Sequence, residues 1–211
     1  MKFSLFTALA LVGSANAHFR LLFPEPRGQF VADNEPQYCG GYTQVTQNRT
    51  TFPLSGGFFT IKSGHPDFTA GVIISTLQNP ISFDNFTVNG KQQIASAYAK
   101  NANAGTFCLP LDLAASGVAG VKDGANVTIQ IVYAGGDGNL YQCADLTLSS
   151  NFTIPNNVTC HNETAEAHHG GSETSSGASP SPTNGALSPA HAIAGYSAVL
   201  LGFVGVAALL V

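Results

Sequence analysis

The stretch Asn126–Ala134, NVTIQIVYA, sets Val127, Ile129, Ile131 and Tyr133 in alternation with Thr128 and Gln130. A period of two collects the large apolar side chains on one face of an extended chain, and a helix would scatter them. Further short runs rich in β-branched and aromatic residues, GFFTIK, AGVIISTL, SFDNFTV and LYQCADLTL, read as strands as well. Turn chemistry separates them: Ser-Gly-Gly at 55–57, Asn89-Gly90, Asp123-Gly124, and GGDGN at 135–139. Asn89-Gly90, between FTV and KQQIASAYA, is the strongest hairpin signal, and DLAASGVAG offers at most one helical turn. Short strands at this spacing predict an all-β, antiparallel β-sandwich.

The two ends of the chain are of another kind. Residues 1–17 carry Lys2, the apolar core LFTALALVG, and small residues at Ala15 and Ala17, the layout of a secretory signal cut after Ala17. The last residues, YSAVLLGFVGVAALLV, are apolar with no basic residue after them. A polar spacer and the small trio Asn184, Gly185, Ala186 precede them, which predicts a glycolipid (GPI) anchor joined at Asn184. The rival reading, a transmembrane helix, wants about 20 apolar residues and a basic flank. The expected layout is a signal over 1–17, one folded domain over 18–160, a disordered Ser/Gly/Pro-rich stalk over 161–184 and an anchor propeptide over 185–211. Six N-x-S/T sequons, at Asn48, Asn85, Asn126, Asn151, Asn157 and Asn162, agree with export as a glycoprotein. With 9% charged residues and a net charge of −4, the chain lacks the basic face that nucleic-acid binding needs.

In an oxidising lumen the four cysteines, Cys39, Cys108, Cys143 and Cys160, predict two disulfides with three possible connectivities. Cys160 closes the domain just before the stalk, where a bridge would pin the last ordered segment to the body. Cys39–Cys143 with Cys108–Cys160 is the favoured pairing.

Cleavage after Ala17 would make His18 the first residue of the mature chain. A terminal histidine offers a metal its α-amine and its Nδ1 in one chelate ring. A second imidazole opposite completes a T-shaped set of three nitrogens, which suits Cu(II). The amine binds only when neutral, and its ordinary pKa near 8 makes that inexpensive for copper. Inside the folded domain the available partner is His65 in SGHPDF, where the flanking Gly64 and Pro66 indicate a loop. The remaining histidines lie at the domain edge (His161), in the stalk (His168, His169) and in the propeptide (His191). His18 could equally be an incidental terminus and His65 a solvated loop residue.

HFRLLFPEPRG directly after the signal, the GHPDF loop, DGNLYQCADLTL, the four cysteines and the anchor tail together resemble a known family. It comprises the fungal copper proteins related to lytic polysaccharide monooxygenases, the copper-acquisition-factor-like proteins anchored by glycolipid at the cell surface. The resemblance covers residues 18 to about 160 and the layout of the tail. It implies an immunoglobulin- or fibronectin-like sandwich and a histidine brace for one Cu(II) per chain, with His18 supplying amine and Nδ1 and His65 the second imidazole. It also implies an aspartate at copper, which is Asp137 or Asp145. Asp137 is preferred because its glycine-rich loop can bend to present a carboxylate, whereas Asp145, two residues after Cys143, shares that side chain's face. Tyr141 is the alternative axial group, or a packing aromatic. A carboxylate beside copper disfavours reduction, so such a site holds copper better than it activates oxygen.

Three readings follow. The first is a monomeric surface protein that captures copper and passes it on, with a membrane copper transporter as partner and the outer leaflet as its seat. The second is a copper-dependent oxidative enzyme acting on cell-wall polysaccharide, a reading weakened by the absence of tryptophan and of any recognisable row of aromatics near His18. The third is a structural wall glycoprotein.

Overall fold

The computed structural model describes residues 18–136 and 138–164. The expected signal, the anchor signal with Asn184, most of the stalk, and His168, His169, His191 and Asp137 therefore lie outside the described residues.

Eleven strands form in chain order: β1 (Phe19–Phe23), β2 (Thr50–Pro53), β3 (Gly57–Ser63), β4 (Phe68–Ser75), β5 (Thr87–Val88), β6 (Lys91–Gln92), β7 (Ile94–Asn101), β8 (Gly105–Leu111), β9 (Asn126–Ala134), β10 (Asn139–Ser149) and β11 (Glu163–Thr164). One sheet has the order β1-β3-β8-β11 and the other β2-β10-β9-β4-β7, with β5-β6 a separate hairpin. The pairs are antiparallel except β2 with β10, which run parallel. The chain is all-β and sandwich-like. Helical structure among the described residues is limited to single 3-10 turns, and no helix there is long and apolar enough to cross a membrane.

The core lies between the sheets. Phe19, Leu21, Phe59, Ile61 and Phe107 come from one side; Val127, Ile129, Ile131, Tyr133, Phe68 and Val72 come from the other. The Tyr133 ring stacks on Phe19 at 4.8 Å and on Phe68 at 5.0 Å. Residues of alternating register thus meet as expected, but the other face of β9 is not solvated. Thr128 and Gln130 are both 0% exposed. The connection from β1 to β2 crosses that outer face, carrying Tyr38 and Cys39 into a second apolar cluster with Ile73, Phe86, Val132 and Cys143. The disulfides pair Cys39 with Cys143 and Cys108 with Cys160. The first fixes this crossing segment to β10, with the Arg27 N–H donating to the Cys143 carbonyl at 2.7 Å.

Two local readings differ from expectation. SFDNFTV is strand only at Thr87–Val88, because Phe83–Phe86 is a 3-10 turn. The Asn85 Oδ1 accepts the N–H groups of Ile81 (2.8 Å) and Ser82 (3.2 Å), so the side chain competes with a ladder for the backbone. β11 falls in the first residues of the expected stalk, where Glu163 and Thr164 pair with Thr106 and Gly105. Asn89-Gly90 closes the β5-β6 hairpin with φ of 52° and 74°, the left-handed pair that an Asn-Gly turn requires.

Candidate metal centre

β1 places the first described residue. Phe19 pairs with Ser63, and the Gly64 N–H donates to the His18 carbonyl at 3.1 Å. Pairing β1 with β3 therefore brings His18 beside the loop that carries His65. That loop is held from below. The Ser63 hydroxyl donates to the His65 carbonyl at 2.7 Å and accepts the His65 N–H at 3.2 Å. Its single proton being used, Ser63 must accept from the buried Tyr133 hydroxyl, 2.7 Å away. The His65 Nδ1 lies 2.6 Å from the Pro66 carbonyl, which can only accept. Nδ1 therefore carries the proton, and Nε2 keeps its lone pair free for a metal.

The residue that sequence reasoning missed is Glu35. Its carboxylate is 1% exposed and meets His18 Nδ1 at 2.6 Å. The other oxygen accepts the Phe19 N–H at 3.2 Å and the Gln142 amide at 3.1 Å. Gln142 in turn donates to the Phe19 carbonyl at 2.7 Å and accepts the Leu21 N–H at 2.9 Å. Glu35 and Gln142 thus satisfy the edge of β1 that no strand covers, and they fix His18 at its end. Nothing periodic marks Glu35, which sits in the irregular ADNEPQYCGG. A lone acid in a long connection gives no pattern to read.

The electrostatics suit a cation. Burial, the largest influence, pushes the Glu35 carboxyl above its ordinary value of 4.5, although hydrogen bonds from Phe19, His18 and Gln142 pull it back. At 2.6 Å, His18 Nδ1 and Glu35 Oε2 stand at the distance of a shared proton, which a metal bound at Nδ1 would have to displace. Imidazole nitrogens with an anionic oxygen nearby are a donor set copper accepts. Among the described residues, no group of three or more His, Cys, Asp or Glu side chains is assembled to hold a metal. The α-amine becomes a donor only in a chain that begins at His18.

The other sequence candidates divide cleanly. Asp145 is not available to a metal. It is buried at the far end of β10's outer face, bonded by Arg27 at 2.7 and 3.0 Å, by the Thr128 hydroxyl at 2.6 Å and by the Thr46 N–H at 2.9 Å. Tyr141 packs edge-on against Phe83 at 4.6 Å, on the opposite face of β10 from Gln142, so it does not stand over His18. Asp137 itself lies outside the described residues; the strands on either side pair Ala134 with Asn139 and with Thr69, near the start of β4. His161 is exposed and faces Glu163 at 3.0 Å. Of the sequon asparagines, Asn48, Asn151, Asn157 and Asn162 are exposed and Asn85 and Asn126 partly so.

Replacing Glu35 with glutamine separates its two roles. The amide can keep the Phe19 and Gln142 contacts, so the strand edge survives. A raised carboxyl pKa stabilises the fold fully below 4.5, and that contribution is lost as pH climbs through the folded value. Glu35→Gln is therefore expected to flatten the decline in stability from acid to neutral pH in denaturant titrations. A metal held by His18 is expected to bind about 10- to 100-fold more weakly in that variant, the usual effect of losing a group that supports a metal ligand.

Comparisons with known proteins agree on one family. The family described as copper acquisition factor BIM1-like matches residues 16–165. The chain is 43% identical over 169 residues to the copper acquisition factor BIM1 of Cryptococcus neoformans var. grubii, covering 79% of this chain and 76% of that protein. It is 34% identical over 163 residues to the lytic polysaccharide monooxygenase-like protein ham-7 of Neurospora crassa, covering 70% of each. It is 29% identical over 189 residues to the lytic polysaccharide monooxygenase-like protein X325 of Hypocrea jecorina, covering 78% and 79%.

Proposed function

The chain belongs to the BIM1-like copper acquisition factors, and from that premise we propose that it binds one Cu(II) through a histidine brace at its mature terminus. His18 gives its amine and Nδ1, His65 gives Nε2, and Asp137 brings a carboxylate. The cupric ion is cargo. The domain is tethered by a glycolipid to the outer face of the plasma membrane, takes copper from outside and yields it to a transporter in that membrane.

The observation that supports this reading is the backbone pairing that seats the His65 loop against His18, with the Gly64 N–H on the His18 carbonyl at 3.1 Å. The work of this chain's own residues follows from it. Ser63, itself bonded to Tyr133, holds the His65 backbone, and the Pro66 carbonyl takes the Nδ1 proton, which leaves the Nε2 lone pair free. Glu35 gives the site a fixed anionic neighbour that needs no reorganisation when a cation arrives. Anionic oxygen near the ion favours the cupric over the cuprous state, which suits carrying copper more than oxygen chemistry.

Titration of protein beginning at His18 tests the proposal. One equivalent of Cu(II) is expected to bind, with an electron paramagnetic resonance spectrum showing coupling to three nitrogens. His65→Ala is expected to lower affinity at least 100-fold and remove one nitrogen coupling. Unchanged affinity and coupling in that variant would refute the brace.

A further inference from the structure

Arg20 of β1 and Lys62 of β3 stand directly opposite one another in the first sheet. Their neighbours Phe19, Leu21 and Ile61 belong to the core, so the two cations share the outer face, where both are exposed. Like charges in that relation repel, and a sheet is ordinarily steadied by an acid across from a base. Among the described residues neither makes an ion pair, whereas Arg27 has Asp145 and Lys100 has Asp67. Glu35 does not answer them. It lies behind His18, 1% exposed, and is committed to His18, the Phe19 N–H and Gln142. Nor do they belong to a broad basic surface, since the chain carries a net charge of −4.

Phe30 supplies the second observation. The Arg20 guanidinium lies 4.4 Å from the centre of its half-buried ring, and the His18 ring meets the same ring edge-on at 6.1 Å. A guanidinium laid on a ring keeps its N–H edge for another partner, and the stacking leaves less to order when that partner arrives. His18, Arg20, Phe30, Lys62 and Gly64 together line a depression of about 390 Å³. Pockets for small molecules begin at about 300 Å³. The histidine expected to bind a cation thus shares one depression with two cations that lack a counter-charge.

We propose that this depression holds a small dicarboxylate, and that copper reaches His18 as the chelate of such an acid. The anion site rests on Arg20, Lys62 and Phe30 alone; its service to copper rests on the brace proposed above. One carboxylate lies on the Arg20 fork and the Lys62 ammonium, the geometry that planar guanidinium favours. The other reaches the position that three nitrogens leave open on a tetragonal cupric ion. Delivery is then ligand substitution: Cu–O bonds of the chelate give way to Cu–N bonds, no electron changes hands, and the released carboxylate stays on the pair. A dication beside two cations is repelled, and an anion between them removes that repulsion. Anion and ion therefore tighten each other by the same factor.

The test titrates glycosylated protein beginning at His18 with malonate, both metal-free and loaded with one equivalent of Cu(II). Metal-free protein is expected to bind malonate saturably, with NMR shifts at the Arg20 guanidinium and the Phe30 ring. Loaded protein is expected to bind it about fivefold tighter or more, the lower end of ordinary coupling between sites. Carbon-13 malonate is expected to couple to the copper electron. Sulfate, which cannot span pair and ion, is expected to show no such gain. Arg20→Gln with Lys62→Gln is expected to remove the coupling and the shifts, yet to leave Cu(II) affinity without malonate equal or higher. A variant that merely folded poorly would lose copper instead. Failure of metal-free protein to bind malonate would overturn the proposal, placing the counter-charge of the pair within the chain. Binding indifferent to both substitutions would overturn it as well, as would an equal gain with sulfate. Malonate that strips the ion without coupling to it would overturn the chelate route. Loss of the brace reads differently, as a missing three-nitrogen spectrum with malonate still bound to metal-free protein.

Discussion

One alanine placed ahead of His18 is expected to lower Cu(II) affinity by more than about 100-fold while leaving the fold intact. The reason is chemical. The extra residue converts the amine into an amide, which is neither basic nor able to close the same chelate ring with Nδ1. Groups that merely support a ligand already cost 10- to 100-fold when lost, and here a ligand itself disappears. The fold is spared because β1 is held by its pairing with β3 and by Glu35 and Gln142 from Phe19 onward. Competition titration against a chelator of known affinity, with circular dichroism of both proteins, gives the answer. Equal affinity for the extended and native termini would mean that copper, if bound at all, does not use the amine. Intact mass of the secreted protein is the companion measurement, since the proposal needs a chain beginning at His18.

Arg27→Met is expected to destabilise the domain by about 3–5 kcal/mol, the cost of leaving a buried charge without its partner. Arg27 and Asp145 have side chains 1% and 0% exposed, joined at 2.7 Å. Burial alone would push Asp145 upward and is the largest single influence on it. Hydrogen bonds from Arg27, Thr128 and the Thr46 N–H, with the Arg27 charge, outweigh it and hold the carboxyl below 3.8. A lowered acid pKa stabilises the fold above the unfolded value and is lost as pH falls through the folded one. The native pair should therefore weaken only in strong acid. In Arg27→Met the Arg27 hydrogen bonds and charge are gone and only Thr128 and Thr46 oppose burial, so Asp145 rises and the variant should gain stability as pH drops from neutral, opposite in sign to the native pair. Urea titrations at neutral and mildly acidic pH read both effects. A loss under 1 kcal/mol would show that Thr128 and Thr46 carry the carboxylate unaided.

Much of the fold was legible because it is written in local patterns. The alternation in β9 and the Asn-Gly turn each depend on neighbours a few residues apart, whereas the disulfides join cysteines 104 and 52 residues apart and were readable only as four thiols in an exported chain. What was not legible depends on the long connection between β1 and β2. Thr128 and Gln130 have the pattern of a solvated face, yet they are buried because residues far upstream fold across them. Asp145 looked like a possible ligand until Arg27, 118 residues away in sequence, was found against it. β8, Gly105–Leu111, is not among the runs read as strands in the sequence; it carries Pro110, a poor residue for a strand interior, which nonetheless pairs opposite Phe58. At the candidate site, the histidines stand out in the sequence because each carries its own chemistry. Glu35 does not, because an isolated acid becomes notable only when something buries it against an imidazole.

The two side chains that close the outer edge of β1 have a consequence beyond the site. A freshly cut terminus is ordinarily the loosest region of a domain, and a bare edge strand invites a neighbour to add its own. Here a carboxylate and an amide already take the places a foreign strand would need. Copies of this domain at high concentration can therefore keep their β1 ends apart, without exchanging strands or growing into fibres.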